Sequence, residues 1–304
     1  MRVLVLMSTY NGAAYIRQQI DSILAQDACE VGILIRDDGS TDGTQDIMHE
    51  YASRHDNIFI VDGPNVGCAQ SFMSLVYEAA NTYSQYDYYA FCDQDDVWLI
   101  NKLSSAIDKL DITDSTKPSL YLGAYQMVDA ELNPITTFLS VPAINLPAAF
   151  ASNSATGCTM VFNRALLMAL STKRPEYMIM HDYWAYLVCL AIGGFVCYDH
   201  TPYILYRQHG HNAIGGLGDS LFKKWSVRIR KLFLAGDRFK SRMAQQLLNC
   251  YQGQMASDDI RFLCDIVNQK SFAAKKRLIT DKRFRCKSMD GNLRNFVLIL
   301  TGKF

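Results

Sequence analysis

The stretch Phe91-Cys92-Asp93-Gln94-Asp95-Asp96-Val97-Trp98 decides how the rest of this sequence is interpreted, and it directly follows Asp87 and an apolar run that begins at Tyr88. The run predicts a short buried strand, and unpaired carboxylates buried behind it would be costly. At the open edge of a parallel sheet, the same carboxylates would line the crevice where ligands bind. They repel one another unless a cation lies among them, and such oxygen ligands suit Mg²⁺ or Mn²⁺. The stretch therefore predicts a metal site for a diphosphate.

Apolar runs and helical patterns alternate before this stretch. Short apolar runs, which predict buried parallel strands, occur at residues 3–7, 31–35 and 57–61. Helices are predicted after them, over about 16–24, from a cap at Thr41 or Asp42 to about residue 54, and over 70–80. This alternation predicts a doubly wound α/β domain with right-handed crossovers.

Polar clusters follow three of the predicted strands: Thr9-Tyr10-Asn11, Asp37-Asp38 and the acidic stretch. In a parallel sheet these strand ends lie along one edge and form a crevice. Hydroxyl, amide and aromatic groups there can hold a base and ribose, and the carboxylates can hold ribose hydroxyls and a metal. The first strand is not followed by Gly-x-Gly-x-x-Gly, and the chain has no Walker loop, which disfavours an ordinary dinucleotide site or a P-loop ATPase.

The pattern changes after residue 100. A helix is predicted over 101–110, strands over 119–128 and 156–162, and loops around three prolines between those strands. A second helix is predicted from His181 to about residue 192, followed by short strands at 195–198 and 203–206. We expect a catalytic domain over 1–219. Its first half, at about 1–100, would bind the nucleotide-containing ligand, and its second half, at about 101–219, would bind the acceptor of a transferred group.

The net charge of zero hides a strong asymmetry. Residues 1–219 carry 11 Lys and Arg against 24 Asp and Glu, whereas residues 220–304 carry 19 against 6. Basic residues alternate with Leu, Phe and Trp over 221–234, which is typical of a helix lying on an anionic membrane surface. The alternative is a helical bundle that packs on the acidic domain or on another copy of the chain. No recognition motif supports nucleic-acid binding.

Cysteine usage and hydropathy bear on location. The nine cysteines form no Cys-x-x-Cys pair, which favours reduced thiols in a cytosolic protein over a disulfide framework or a zinc site. The apolar stretch at residues 184–198 has 15 residues and contains two glycines, fewer than the ~20 residues needed to span a bilayer. We expect a cytoplasmic protein, peripheral on the cytoplasmic face of the inner membrane.

Three motifs in this order resemble the inverting family 2 glycosyltransferases of the GT-A fold: Ser8-Thr9-Tyr10-Asn11-Gly12, Asp37-Asp38-Gly39-Ser40-Thr41-Asp42-Gly43-Thr44 and Asp93-Gln94-Asp95-Asp96. The order and spacing match over roughly residues 1–215. His181-Asp182-Tyr183-Trp184 and Tyr206-Arg207-Gln208-His209-Gly210-His211-Asn212 resemble the bacterial rhamnosyltransferase-like branch. The resemblance implies a mostly parallel central sheet flanked by helices, here followed by a basic α-helical C-terminal region.

The resemblance also implies roles for individual residues. Asp95 would be the direct metal ligand, with Asp96 sharing that task, and Asp182 would be the catalytic base. His181 stands where the family usually has Glu, which leaves its role open. Substrate contacts are expected from Thr9, Tyr10, Asn11, Asp38, Asp93, Trp184, Arg207 and His209, the last also as a metal ligand.

Several of these roles have structural alternatives. Asp37 could serve only as the ion-pair partner of Arg36 or of another local cation. Asp182 could serve only as the cap of its helix, because Asp is a good N-cap residue. Trp184 could be a packing residue, and His209 a structural histidine.

The sequence thus predicts a Mg²⁺- or Mn²⁺-dependent inverting glycosyltransferase. Its donor would be a nucleotide sugar, with dTDP-rhamnose favoured and a UDP-hexose second. The acceptor would be a saccharide on polyprenyl diphosphate, in the synthesis of a bacterial cell-surface polysaccharide. Two alternatives are a nucleotidyl- or phosphotransferase that uses the acidic metal cluster, and a non-catalytic membrane-associated scaffold.

Overall fold

The computed structural model describes residues 1–139, 141–208 and 238–304. In chain order its strands are β1 (Arg2–Thr9), β2 (Glu30–Asp37), β3 (Ile58–Asp62), β4 (Tyr88–Cys92), β5 (Val97–Trp98), β6 (Ser119–Gly123), β7 (Tyr125–Val128), β8 (Pro134–Phe138), β9 (Val161–Asn163), β10 (Phe195–Asp199) and β11 (Ile204–Arg207). Its helices are α1 (Ile16–Leu24), α2 (Thr44–Arg54), α3 (Cys68–Thr82), α4 (Lys102–Leu110), α5 (Leu146–Ala151), α6 (Arg164–Ser171), α7 (His181–Ala191), α8 (Phe239–Tyr251), α9 (Ser257–Val267), α10 (Phe272–Thr280) and α11 (Met289–Thr301).

The strands form two sheets. The central sheet has seven strands in the order β10-β6-β9-β4-β1-β2-β3, and β5-β11-β7-β8 form a smaller second sheet. In the central sheet β9 runs antiparallel to both of its neighbours, whereas the other pairs are parallel. The predicted α/β class with a mostly parallel sheet is therefore confirmed.

The register of the central sheet aligns the strand ends that carry polar residues. Thr9 at the end of β1 is the partner of Asp37 at the end of β2. Met7 is the partner of Cys92 at the end of β4, so the acidic stretch begins beside the last residues of β1. The three polar clusters therefore emerge at one edge of the sheet.

Alternate residues of the buried strands supply two separate cores. On β1, Leu4 and Leu6 join the larger cluster, whereas Val3, Val5 and Met7 join the smaller cluster, which includes residues of α1 and α4. This division follows from the period of two along a strand. The larger cluster contains residues of α3, α5, α6, α7 and the C-terminal helices α8–α11.

The C-terminal region is helical throughout residues 239–304 apart from short connections. Met243 and Leu247 of α8 and Phe262 of α9 are buried in the same cluster as α7. Among the described residues, we find no helix with both the length and the apolar composition needed to cross a bilayer.

The structure departs from the sequence predictions in the second half of the chain. The strand predicted over 119–128 is two strands in different sheets, β6 and β7. The strand predicted over 156–162 was largely wrong, because a 3-10 turn occupies Gly157–Thr159 before the short β9. Pro147 is one of the three prolines that predicted loops between these strands. It lies instead in the first turn of α5, where a missing N–H is tolerated.

We predict that Gly194→Ala lowers the free energy of unfolding by about 1–3 kcal/mol, because overpacking at a site closed by backbone forces a shift. A Cβ at position 194, between α7 and β10, would lie 2.6 Å from the Cys189 sulfur and 2.7 Å from the Pro118 carbonyl oxygen. Urea unfolding measures the change. Gly253→Ala is the matched control, since its Cβ would meet no atom within 4 Å. Equal stability of the two variants would contradict this account of the turn.

Candidate active site

A single side chain, Gln94, joins the loop after β1 to the acidic stretch after β4. The Thr9 hydroxyl donates to Gln94 Oε1 at 2.5 Å, and the Tyr10 N–H donates to the same oxygen at 2.9 Å. Gln94 Nε2 donates to the Tyr10 carbonyl oxygen at 3.0 Å. A Cβ on Gly12 would overlap this side chain, so glycine permits the close approach. The ring of Tyr10 remains 50% exposed at the edge of the site.

Asn11 joins the same loop to the loop after β2. Its N–H donates to Ser40 Oγ at 2.8 Å, and its Oδ1 accepts from the Thr41 N–H at 2.9 Å. Asn11 has φ of 50°, in the left-handed region that Asn tolerates better than most residues. Its side-chain oxygen thus holds the two loops together, and a substrate contact by Asn11 stays a prediction.

The two aspartates after β2 have different partners. Arg36 pairs with Asp38 at 2.5 Å, so the alternative that Asp37 is its partner is wrong. Asp37 instead accepts from the Ser40 N–H at 2.8 Å and the Ser40 hydroxyl at 2.5 Å, which closes the turn. Asp38 is 3% exposed and also accepts from the Gly67 N–H at 2.9 Å, at the start of α3. A nucleoside contact by Asp38 stays a prediction.

The acidic stretch contains three carboxylates in different surroundings. Asp93 and Asp95 are half-buried, whereas Asp96 is 1% exposed and accepts from the Arg207 N–H at 3.1 Å. Burial, then the charges of Asp95 and Asp182, raise the pKa of Asp93 to about 7. Burial and the neighbouring carboxylates raise the pKa of Asp96 well above its ordinary value. Each raised pKa means that burial and the crowding of like charges disfavour the ionised forms of Asp93 and Asp96.

The donor atoms of this cluster fit a hard divalent cation. Ligand atoms of Asp93, Asp96 and Cys158 lie within 4.8 Å of one another, and Asp96 Oδ2 is buried without a hydrogen-bond partner among the described residues. Burial raises the pKa of Cys158 well above its ordinary value, so its neutral thiol is a poor ligand. The carboxylates of Asp93 and Asp96 are therefore the suitable ligands in this group for Mg²⁺ or Mn²⁺, and metal binding by Asp95 stays a prediction. The predicted ligand His209 lies outside the described residues.

The prediction that Arg207 contacts substrate is corrected by the structure. Arg207 is 2% exposed at the end of β11, and its guanidinium donates to the Asp95 carbonyl oxygen at 2.9 Å and to Gln18 Oε1 at 2.6 Å. It also donates to the Ala130 carbonyl oxygen and lies 4.6 Å over the ring of Tyr15. Arg207 therefore holds the backbone of the acidic stretch in place.

The prediction that Trp184 touches the acceptor is also corrected. Trp184 is fully buried, and its ring packs against Tyr251 of α8 at a centroid distance of 6.1 Å. Side chains two positions apart on an α-helix point about 200° apart, so Trp184 faces away from Asp182. It is a packing residue between α7 and the C-terminal helices.

Asp182 lies in the first turn of α7 but is not its cap, since the N-cap position belongs to Met180. The alternative that Asp182 only caps its helix is therefore wrong. Its Oδ2 accepts from the Gly157 N–H at 3.1 Å, and its Oδ1 accepts from the Tyr183 N–H at 2.6 Å. Burial raises the pKa of Asp182 to about 6, against the opposing effect of these hydrogen bonds.

His181 is a buried, neutral ring. It stacks on Phe72 at 3.8 Å and meets the edge of Phe91 at 4.7 Å, and neither ring nitrogen has a hydrogen-bond partner among the described residues. Burial lowers its pKa to about 3, so it carries no charge at neutral pH. A Cβ on Gly157 would lie 3.1 Å from its Nε2, which explains the glycine there. His181 thus packs the start of α7 against α3 and β4.

The residues from β4, α7 and α3 share one electrostatic environment. The charge of Asp182 contributes to the raised pKa of Asp93, although 89 residues separate the two along the chain. The charges of Asp93, Asp182, Asp38 and Asp95 all contribute to a raised pKa of Cys68, an exposed residue at the start of α3. The predicted base and the predicted metal ligands therefore belong to a single acidic site.

Three residues of this site were not predicted. Gln94 lies in the acidic motif, and its position as a polar residue between two aspartates could have predicted a structural role. Cys158 and Lys102 had no signal, because only the fold brings them to the cluster. Lys102 is buried with its Nζ 3.5 Å over the ring of Trp98, and burial lowers its pKa to about 8.

Known proteins resemble the chain in both sequence and structure. Residues 4–166 match the model of the family described as Glycosyl transferase family 2. The dTDP-rhamnosyl transferase RfbG of Shigella flexneri is 29% identical over 218 residues, which cover 69% of this chain and 73% of the relative. The uncharacterized glycosyltransferase RT0329 of Rickettsia typhi is 27% identical over 213 residues, which cover 68% of this chain and 64% of the relative.

Solved structures show the same fold. Staphylococcus aureus TarS, residues 1–349, superposes with a TM-score of 0.59 at 16% identity, and the match covers 100% of this chain and 81% of TarS. GalNAc-T7 with UDP, GalNAc and Mn²⁺ gives a TM-score of 0.52 at 12% identity, covering 93% of this chain and 57% of that protein. The predicted GT-A fold is confirmed.

We predict that Gly12→Ala and Gln94→Ala destabilise the protein through the same contact. Each should remove the Gln94 hydrogen bonds, which contribute about 0.5–1.5 kcal/mol apiece. The double variant should therefore lose less than the sum of the two single losses in urea unfolding. Additive losses would contradict the role of Gln94 in joining the two loops.

Proposed function

The chain belongs to glycosyl transferase family 2, and from this premise we propose that it is a metal-dependent, inverting glycosyltransferase that uses a nucleotide-sugar donor. One observation carries the proposal: Asp182 of α7 accepts from the Gly157 N–H, and the next residue, Cys158, lies with Asp93 and Asp96 in the acidic cluster. Asp182 can then accept a proton, while the carboxylates after β4 bind the cation that stabilises the leaving diphosphate. Family membership disfavours the alternatives of a nucleotidyl- or phosphotransferase and of a non-catalytic scaffold.

The donor is a nucleotide sugar, with dTDP-rhamnose as the first candidate. The name of the S. flexneri relative, a dTDP-rhamnosyl transferase, supports rhamnose. A UDP-hexose is the second candidate, in keeping with a TarS structure in complex with UDP-GlcNAc. The exposed ring of Tyr10 offers a surface for the base, and Thr9 and Asp38 lie on the two loops beside it.

Asp93, Asp95 and Asp96 would hold the divalent cation, Mg²⁺ or Mn²⁺, with Asp95 as the principal ligand. When bound, such a cation supplies positive charge against the nucleotide diphosphate that leaves. Asp96 is buried and bonded to the Arg207 N–H, which suits it to the inner side of the cluster. Arg207 fixes the Asp95 backbone and so orients that carboxylate.

Asp182 is the general base. A carboxylate with a pKa of about 6 is ionised at neutral pH and still has useful affinity for a proton. It takes the proton of the acceptor hydroxyl as the hydroxyl oxygen bonds to the sugar carbon and the diphosphate leaves from the opposite face. This single displacement inverts the anomeric centre. Neutral His181 does not compete for the proton.

The acceptor is a saccharide carried on polyprenyl diphosphate at the cytoplasmic face of the inner membrane. The charge distribution supports a membrane location, because the C-terminal 85 residues carry 19 Lys and Arg against 6 Asp. The product then belongs to a bacterial cell-surface polysaccharide.

We predict that a nucleotide sugar raises the melting temperature of the protein only when Mg²⁺ or Mn²⁺ is present. A ligand that binds the native state at about 100 times its Kd contributes about 2.7 kcal/mol. Asp95→Asn should abolish this metal-dependent shift, and Asp108→Asn, on an exposed position of α4, should retain it. Thermal-shift screening of dTDP-rhamnose and UDP-hexoses measures the effect. Absence of a shift with every donor in Mn²⁺ would refute the proposal.

We predict that Asp182→Asn lowers kcat by about 10²–10⁴-fold while donor binding persists, because general-base help has this magnitude. In the wild type, kcat/KM should rise with pH through a midpoint near 6 and level off above it, since only the ionised carboxylate accepts a proton. Donor hydrolysis or transfer assays at pH 5–8 test both points. Full turnover by Asp182→Asn would rule out this role.

A further inference from the structure

The last helix, α11, leaves an apolar face in solvent. Five of its side chains are between 38% and 88% exposed: Met289, Leu293, Phe296, Val297 and Leu300. At 100° per residue they fall within about 100° of the helix circumference, so they form one stripe, which we call the α11 apolar face. The helix buries other residues, Asn295 and Ile299, against the protein. The exposed stripe is thus additional to the face that holds the helix in the fold.

Exposed apolar groups continue beyond both ends of this helix. Lys275 of α10 donates to the Leu300 carbonyl oxygen at 2.6 Å, and Phe272, one turn before Lys275, is exposed. At the other end, Lys287 donates to the Val141 carbonyl oxygen at 2.9 Å, and Val141 is itself exposed. Soluble proteins rarely leave large contiguous apolar surface uncovered, so this one marks an interaction site.

The region that contains the α11 apolar face is strongly cationic. Residues 238–304 contain fourteen Lys and Arg, five Asp and no Glu. Exposed basic residues close to the face in sequence or through α10 are Lys276, Lys287, Arg294 and Lys303. Asp290 is the acidic residue on α11. An apolar stripe bordered by Lys and Arg is the pattern of a helix that lies in the interface of a membrane.

Lipid fits this surface better than a second protein. Lys is depleted from protein–protein interfaces, where its charge would have to be desolvated. At a bilayer, its long side chain reaches the headgroups while the apolar stripe enters the acyl boundary. Each Lys or Arg near an anionic surface contributes about 1 kcal/mol. Charge complementarity therefore selects an anionic bilayer.

We propose that the α11 apolar face docks the protein on anionic phospholipid membranes. Leu293, Phe296 and Leu300 enter the interfacial region, and the surrounding Lys and Arg contact lipid phosphates. The docking deepens the proposed use of a lipid-linked acceptor by assigning the membrane contact to a particular helix face. It does not involve the residues assigned to donor binding or proton transfer.

Flotation of the full chain with lipid vesicles tests the proposal. The wild type should float with phosphatidylcholine vesicles that contain about 30% phosphatidylglycerol, and much less with phosphatidylcholine alone, because the charged lipid supplies the electrostatic attraction. Leu293→Ser/Phe296→Ser should weaken this partitioning by at least about tenfold, since two large apolar groups no longer leave water. Ile112→Ser, which removes an equally exposed apolar side chain between α4 and β6, should float like the wild type.

A fluorescence measurement locates the contact. Leu293→Trp should show a blue shift on addition of anionic vesicles and quenching by brominated lipids, beyond the response of the wild type. Ile112→Trp should show neither. These substitutions replace exposed residues, so both variants should fold.

The proposal is overturned if the wild type does not float with anionic vesicles, or if Leu293→Ser/Phe296→Ser floats equally well. A protein-protein interface would instead be indicated if light scattering shows that the wild type is a dimer and the double variant a monomer, and if the wild type does not bind vesicles. That result also overturns the proposal. The metal-dependent thermal shift with a nucleotide sugar, measured on the same variants, separates the two proposals. Absence of this thermal shift in a wild-type protein that floats with vesicles would count against the proposed function and not against docking.

Discussion

Mutual repulsion among carboxylates is the constraint that the site must satisfy. Asp93, Asp95 and Asp96 leave β4 together, and Asp182 of α7 adds a fourth negative charge to the same environment. Polar contacts hold the acidic stretch in place, through Gln94 and through the backbone and guanidinium of Arg207. A fold that fixes carboxylates close together in a buried site prepares them to bind a cation and to exchange a proton.

The sheet makes this arrangement possible because its register fixes the strand ends. Pairing of Thr9 with Asp37, and of Met7 with Cys92, brings three loops to one edge, where side-chain bonds join them. Gln94 bonds the first loop to the third, and Asn11 bonds the first loop to the second. Because a slip of one residue would turn every side chain to the other face, the two cores on either side of β1 protect the register. The site therefore depends on apolar residues that never touch it.

The α/β fold could be predicted from the sequence, because buried parallel strands and amphipathic helices have different patterns of apolar residues. The position of the site could be predicted because ligands of such folds bind at the carboxyl ends of the strands. The sequence predicted the acidic stretch and the helix that carries Asp182. It failed where the answer depended on what covers a side chain. Trp184 and Arg207 looked available for substrate, but α8 covers the first and the loop after β4 covers the second. The pairing of Arg36 with Asp38 and not Asp37 depends on rotamers and on the start of α3, which spacing does not encode.

The C-terminal helices connect the proposed membrane contact to the proposed base through α5. Asn295 on the buried side of α11 donates to the Ala151 carbonyl oxygen at 2.9 Å, and Tyr183 donates to the Ala149 carbonyl oxygen at 3.2 Å. Tyr183 is the residue after Asp182, so two hydrogen bonds to one short helix lie between the proposed docking helix and the proposed base. Packed helices transmit position because protein interiors are nearly as dense as crystals. A bilayer held at α11 would therefore set the height of Asp182 above the membrane, and with it the part of a lipid-linked acceptor that reaches the base.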